Sequence, residues 1–177
     1  TTSELTAAAV RASRGFTSGT HYWEVEVLEL SDWSYVGFAS AAWDSVAEPV
    51  GRARESWGLA SSGLVYAAGR ELGRLDAEYS KGSKLGFLLE LSDDPRGERR
   101  ASLVVDGRLH LNVFKNLPDV VYPAVSNFRA QAAYRLDCQA KPPAELDLDC
   151  DVDLEANASS EPQQRGSSGV PGLVFWD

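Results

Sequence analysis

The chain contains no methionine, two cysteines and two histidines among its 177 residues. Lacking an initiator, it is expected to be part of a longer polypeptide. Cys138 and Cys150 are too few to build a disulfide framework, so two reduced, partly buried thiols in a cytoplasmic or nuclear setting are expected. His21 and His110 each sit in a strand-like stretch with no Cys or His at ligand spacing, which argues against zinc. Neither accompanies a sharp G-x-S-x-G turn, so no catalytic triad is expected. No apolar run approaches the roughly 18 residues of a membrane span, and no secretory signal is visible. Neither a G-x-G-x-x-G nor a P-loop pattern occurs to cradle phosphates.

A clustered basic surface is missing too. The formal charge is −9, yet residues 139–177 hold eight acidic and two basic residues, which leaves 18 acidic and 15 basic in residues 1–138. A nearly balanced domain with an acidic tail lacks what phosphate-backbone binding requires, and no nucleic acid is expected as partner. Asp147, Asp149 and Asp151 have the first three spacings of a calcium loop. Val152 and Ala158 then occupy the positions that need Gly and a bidentate Glu, so no metal and no cofactor is expected.

What the chain does have is 44% hydrophobic and 10% aromatic residues, enough for one domain with a sizeable core. From Tyr22 to Val27 the alternation is strict, with Trp23, Val25 and Val27 on one face and Tyr22, Glu24 and Glu26 on the other. A second strand is predicted over 34–40, with Val36 and Phe38 on one face. A hairpin is predicted from 56–59 and 63–66, and further strands over 83–91, 100–105, 108–114, 120–126 and 132–138. Asp106-Gly107 is the strongest hairpin turn. Residues 41–56 and 67–79 are predicted as loops, by their Pro, Gly and Arg content and lack of period. No stretch of helical length carries a 3.6-residue stripe, so an all-β antiparallel sandwich is predicted for residues 1–138. In the tail, residues 139–177, the alternating LDLDCDVDLE of 146–155 is expected to dock as an extra strand. Residues 156–169 have linker composition, and the apolar 171–177 is expected to fold back onto the domain.

In order, GFTSGTHYWEVEV at 15–27, VGFAS at 36–40, SWGL at 56–59, LGFLLEL at 85–91, LVVDGRL at 103–109 and VYPAVS at 121–126 resemble the SPRY domain family. The resemblance covers about residues 9–138 and implies a bent antiparallel two-sheet β-sandwich. AVRASRGFTSGTHYWE, ESWGL and VYPAVSNFRA are most similar to the SPRY-plus-SOCS-box proteins, substrate receptors of cullin-type ubiquitin ligases. That likeness implies a non-enzymatic module that binds a short peptide through loops at one end of the sandwich, with Tyr66, Phe128, Arg129 and Ala130 contributing. The subgroup carries Trp-Gly where this chain has Arg129-Ala130, and residues 139–177 show no SOCS-box-like sequence.

The residues themselves support a binding surface. If the strands stack as a sandwich, loops 41–56, 67–79 and 127–131 are expected to meet at one end and gather Arg52, Arg54, Tyr66, Arg70, Phe128 and Arg129. Aromatic and Arg side chains make interface hot spots, and clustered guanidinium groups favour an acidic ligand. Trp43, and Trp33 beside it in the chain's loop regions, add two further aromatic candidates. The expected partner is a protein or peptide, bound by a monomeric domain of a larger protein. A carbohydrate-binding sandwich, with Trp33 or Trp43 as stacking platform, is the alternative.

Overall fold

The alternation around Trp23 becomes the eleven-residue strand Gly19–Glu29, second from one edge of its sheet. A computed structural model describes residues 7–31, 33–44, 47–128, 132–144 and 147–148. With strands numbered along the chain, one sheet has the spatial order β1 (Ala7–Arg11), β10 (Tyr122–Phe128), β3 (Trp33–Ala39), β4 (Ser56–Ala60), β5 (Leu64–Ala67) and β6 (Arg70–Arg74). The other runs β11 (Ala133–Asp137), β2 (Gly19–Glu29), β7 (Lys84–Leu91), β8 (Arg99–Val105), β9 (Arg108–Lys115) and β12 (Asp147–Leu148). Neighbours pair antiparallel except β12, which lies parallel to β9. Among the described residues there is no helix, and the fold is the all-β, two-sheet antiparallel sandwich that the alternation predicts.

The inner faces make the core. Trp23, Val25 and Val27 of β2 and Leu85, Phe87 and Leu89 of β7 meet Val36 and Phe38 of β3 and Trp57 and Leu59 of β4. Trp23 stacks between Phe16 at 5.5 Å and Phe87 at 5.2 Å, while Phe38 meets Phe114 edge-on at 5.2 Å. Such ring pairs add to area burial, and their geometry holds the sheets in one register. At one end the Arg99 guanidinium donates to the carbonyls of Thr17, Ser92, Leu117, Pro118 and Asp119 and so ties three loops together.

Three segments differ from the sequence reading. Residues 67–79 are not one loop, because Arg70–Arg74 forms β6. Only Leu72 of that strand faces the core, so an edge strand without an apolar alternation left no period to read. Its turn, Ala68-Gly69, has both φ values positive, 51° and 84°, the backbone of a tight two-residue hairpin. Strand β10 extends to Phe128, so Asn127 and Phe128 belong to a strand rather than to the loop. Ala7–Arg11 is a further edge strand that its Ala-rich sequence did not announce. Of the tail strand expected over 146–155, Asp147–Leu148 pairs with β9. Residues 149–177, including Asp149, Asp151, Cys150 and the linker, lie outside the described residues.

Candidate functional site

Along β3, Val36 and Phe38 enter the core, which turns Trp33, Tyr35, Gly37 and Ala39 to the outer face. Register then assembles a surface from distant parts of the chain. Phe128 lies opposite Trp33, and Tyr35 lies opposite Ala60. Tyr35, Ala39, Trp43, Val50, Ala53, Ala60 and Ala124 form a second buried cluster outside the main core, with Ala9, Leu64, Tyr66 and Phe128 half-buried against it. From Phe128 on β10 to Tyr66 on β5 the strip crosses three strand spacings, roughly 15 Å. Trp33 stands on it 54% exposed.

Residues 40–44 and 47–55 pack on this face through Trp43, Val50 and Ala53 and are held there by polar contacts. Ser40 N donates to Glu55 O at 2.9 Å, Val50 N to Ser126 Oγ at 2.8 Å and Gly51 N to Ser56 Oγ at 2.7 Å. Ser56 Oγ in turn donates to Ala53 O at 2.9 Å, and Arg11 Nη1 donates to Ser40 O at 2.6 Å. Gly51 has φ +90°, and a Cβ there would lie 2.8 Å from Tyr66 Cβ and 2.9 Å from Gly58 N. Only glycine lets the loop approach the sheet so closely. The described part of this loop is therefore shaped by the domain itself, before any ligand arrives.

Arg52, carried by that loop, places its guanidinium 5.7 Å from the centre of the Tyr66 ring, within cation–π range. Tyr66 also meets Tyr35 edge-on at 6.0 Å. The β5–β6 ladder shifts register beside it, setting Glu71 opposite Tyr66, and the phenol donates to Glu71 Oε2 at 3.4 Å. Partial burial, followed by the Glu71 charge, raises the Tyr66 pKa above its ordinary value, and Arg52 opposes the rise. The phenol is thus a neutral donor across the physiological range.

The expected residues divide accordingly. Tyr66, Phe128, Arg52 and Trp43 come together, but on the outer face of the first sheet rather than at the end of the sandwich. The reason is that segment 40–55 folds back across the strands instead of projecting beyond them. Trp43 is only 8% exposed; it supports the surface from below. Arg54 is exposed on the loop and Arg70 is exposed at the first residue of β6. Arg129 and Ala130 follow Phe128 and lie outside the described residues. Tyr35, 2% exposed, is a second aromatic support beneath the surface, and the alternation of Trp33, Tyr35, Gly37 and Ala39 against Val36 and Phe38 already put it on this face.

Among the described residues no three His, Cys, Asp or Glu side chains converge as a metal site, and no helix is long and apolar enough to cross a membrane. Aromatic edges and faces, a phenol donor and an adjacent guanidinium suit non-covalent recognition.

No family model and no curated protein matches the chain. Among solved structures it is similar to a human SPRY domain, with a TM-score of 0.64 at 21% identity over 78% of this chain and 89% of that one. It is also similar to the SPRY domain of human HERC1, with a TM-score of 0.59 at 17% identity over 77% and 86%. The chain therefore has the SPRY-type sandwich that its ordered motifs suggest. At these identities the likeness carries the fold and does not extend to the SOCS-box subgroup.

Proposed function

We propose that this domain is a non-enzymatic protein-interaction module that binds an acidic peptide or protein segment on the outer face of its first sheet. The observation that carries this reading is the half-buried Phe128 and Tyr66 packed over the buried Tyr35, with the exposed Trp33 opposite Phe128 and Arg52 over the Tyr66 ring, on a loop fixed by its own hydrogen bonds. A preformed surface of this kind binds without the cost of ordering a loop. Aromatic side chains supply contact area, Arg52 supplies charge, and the exposed Arg54 and Arg70 add charge of the same sign. The two SPRY neighbours and the motif order support assignment to this class, and the likeness to ligase receptors supports a role in selecting substrates for ubiquitination. An exposed thiol at Cys138 fits a reducing cytoplasmic or nuclear compartment.

The test is titration of the full chain with the hits of an acidic peptide array. Saturable one-to-one binding should weaken about tenfold in Arg52→Glu and in Trp33→Ala, and should weaken further with salt. Binding that survives both substitutions would put the ligand elsewhere. The exposure of Trp33 favours a second reading, a carbohydrate stacked on its indole. Glycan binding lost in Trp33→Ala, without peptide binding, would establish that reading instead. Co-capture of a cullin-type ligase with the full-length protein tests the ubiquitination role separately.

A further inference from the structure

Among the described residues the sandwich is left open along one side, between the edge strand β1 of the first sheet and the edge strand β11 of the second. Val10 lies opposite Val125, which packs on the core, so Val10 faces inward. Leu136 lies opposite Val25, and Tyr134 opposite Val27, so they face inward as well. Even so, Val10 is 65% exposed and Leu136 41% exposed. Between them runs an apolar groove of about 140 Å³ lined by Val10, Val25, Pro123, Val125, Tyr134 and Leu136. Among the described residues no side chain fills its centre, and its volume is close to that of a cavity that takes up one benzene ring.

We propose that residues 171–177 of this chain, PGLVFWD, occupy this groove, with the Phe175 or Trp176 ring between Val10 and Leu136. These residues supply four large apolar side chains in succession, Leu173 to Trp176, after a stretch rich in Ser, Gln and Gly. Reach also agrees. The described chain ends at β12, on the edge of the second sheet opposite β11, five strand spacings or roughly 24 Å away. Twenty-two residues, 149–170, separate Leu148 from residue 171. A chain of Gly- and Ser-rich character spans roughly 26 Å over that length, so the segment is presented near the groove at high effective concentration. With 149–155 laid along β9 as a strand, the residues that remain still span roughly 50 Å when extended. Closing the open side in this way would seal both edge strands against pairing with other chains.

Nuclear Overhauser effects in the full chain test the placement without any variant. In a dilute sample the Phe175 and Trp176 ring protons should give cross-peaks to the Val10 and Leu136 methyl groups. Phe175→Asp combined with Trp176→Asp should abolish them, shift mainly the groove methyl signals, and lower the melting temperature by a few degrees. Leu136→Asp should abolish the same cross-peaks from the other side. No cross-peaks in the unaltered chain would overturn the proposal and leave the groove to a separate polypeptide. Cross-peaks seen only between differently labelled molecules in a mixed sample would give it to a second copy, and would overturn the proposal equally.

Discussion

The outer faces of the two sheets are built on opposite principles. On the second sheet the charges satisfy one another: Lys84 pairs with Glu24 at 3.4 Å, Arg135 with Glu26 at 2.9 Å and Arg100 with Glu90 at 2.8 Å. Beneath them lies a small cluster of Tyr22, Val104 and Leu109. The charged groups of that face are paired with cross-strand neighbours. On the first sheet the corresponding surface is aromatic, half covered by segment 40–55, and edged by arginines. The contrast is the reason for proposing the first face as the one that takes a partner, since desolvating aromatic rings costs little whereas breaking paired charges costs more.

The largest expected effect comes from the scaffold of the first face. A Cβ on Gly37 would lie 1.9 Å from the Trp57 carbonyl oxygen and 2.6 Å from Gly58 Cα, both backbone atoms that cannot turn aside. Gly37→Ala should therefore cost about 3 kcal/mol, read as a lower denaturation midpoint, and should abolish binding by displacing β3 from β4. A midpoint unchanged by this substitution would mean that the two strands are less tightly apposed than described.

Next in size is the difference between the faces in binding. Arg52→Glu should lower affinity for an acidic peptide about tenfold, or ~1.4 kcal/mol, with an unchanged melting temperature. Lys84→Glu on the second sheet should leave affinity as it was. Equal losses from both substitutions would erase the distinction and point to overall charge alone.

The alkaline limb of stability sharpens the comparison from the other side. Burial, followed by the neighbouring Glu24 charge, pushes the Tyr22 pKa up to about 12. In the unfolded chain the phenol ionises near its ordinary value of 10.0. The stabilisation is therefore complete below pH 10 and is lost as pH rises towards 12, because the unfolded chain releases a proton that the folded chain retains. Tyr22→Phe keeps the ring and removes this titration, so the decline between pH 10 and 12 should be shallower by up to one proton. An identical slope would show that Tyr22 ionises in place. The buried Tyr79, whose pKa lies well above normal for the same leading reason, continues to contribute in the variant.

The smallest effect is expected at Lys81, whose ion pair with Glu29 joins two exposed side chains. Lys81→Ala should change stability by less than about 1 kcal/mol in thermal unfolding. A larger loss would make the charge ladder of the second face structural rather than merely compatible with water.

How legible each region was follows from how many apolar residues point inward. Strands β2, β3, β7 and β8 alternate or run apolar because both register and burial depend on it, and they could be read directly. Edge strands β1 and β6 contribute one or few inward side chains, so no period marks them. The candidate site was half readable: Tyr66, Phe128 and Arg52 were named for their residue type and motif position. The buried Tyr35 was not read as support for this face, and Trp43 was placed at a contact surface when, like Tyr35, it lies underneath one.

Sequence alone determined the fold class, the composition of the inner faces and the turn at Asp106-Gly107, because alternation and turn chemistry act between residues close in the chain. It also determined that Trp23 is scaffold. Tertiary structure alone decided that Phe128 meets Trp33, that Arg52 comes over Tyr66, and that segment 40–55 folds back across the sheet. Those contacts depend on strand order and on a loop held by backbone groups from remote strands, and neither leaves a local pattern in the residues that make them.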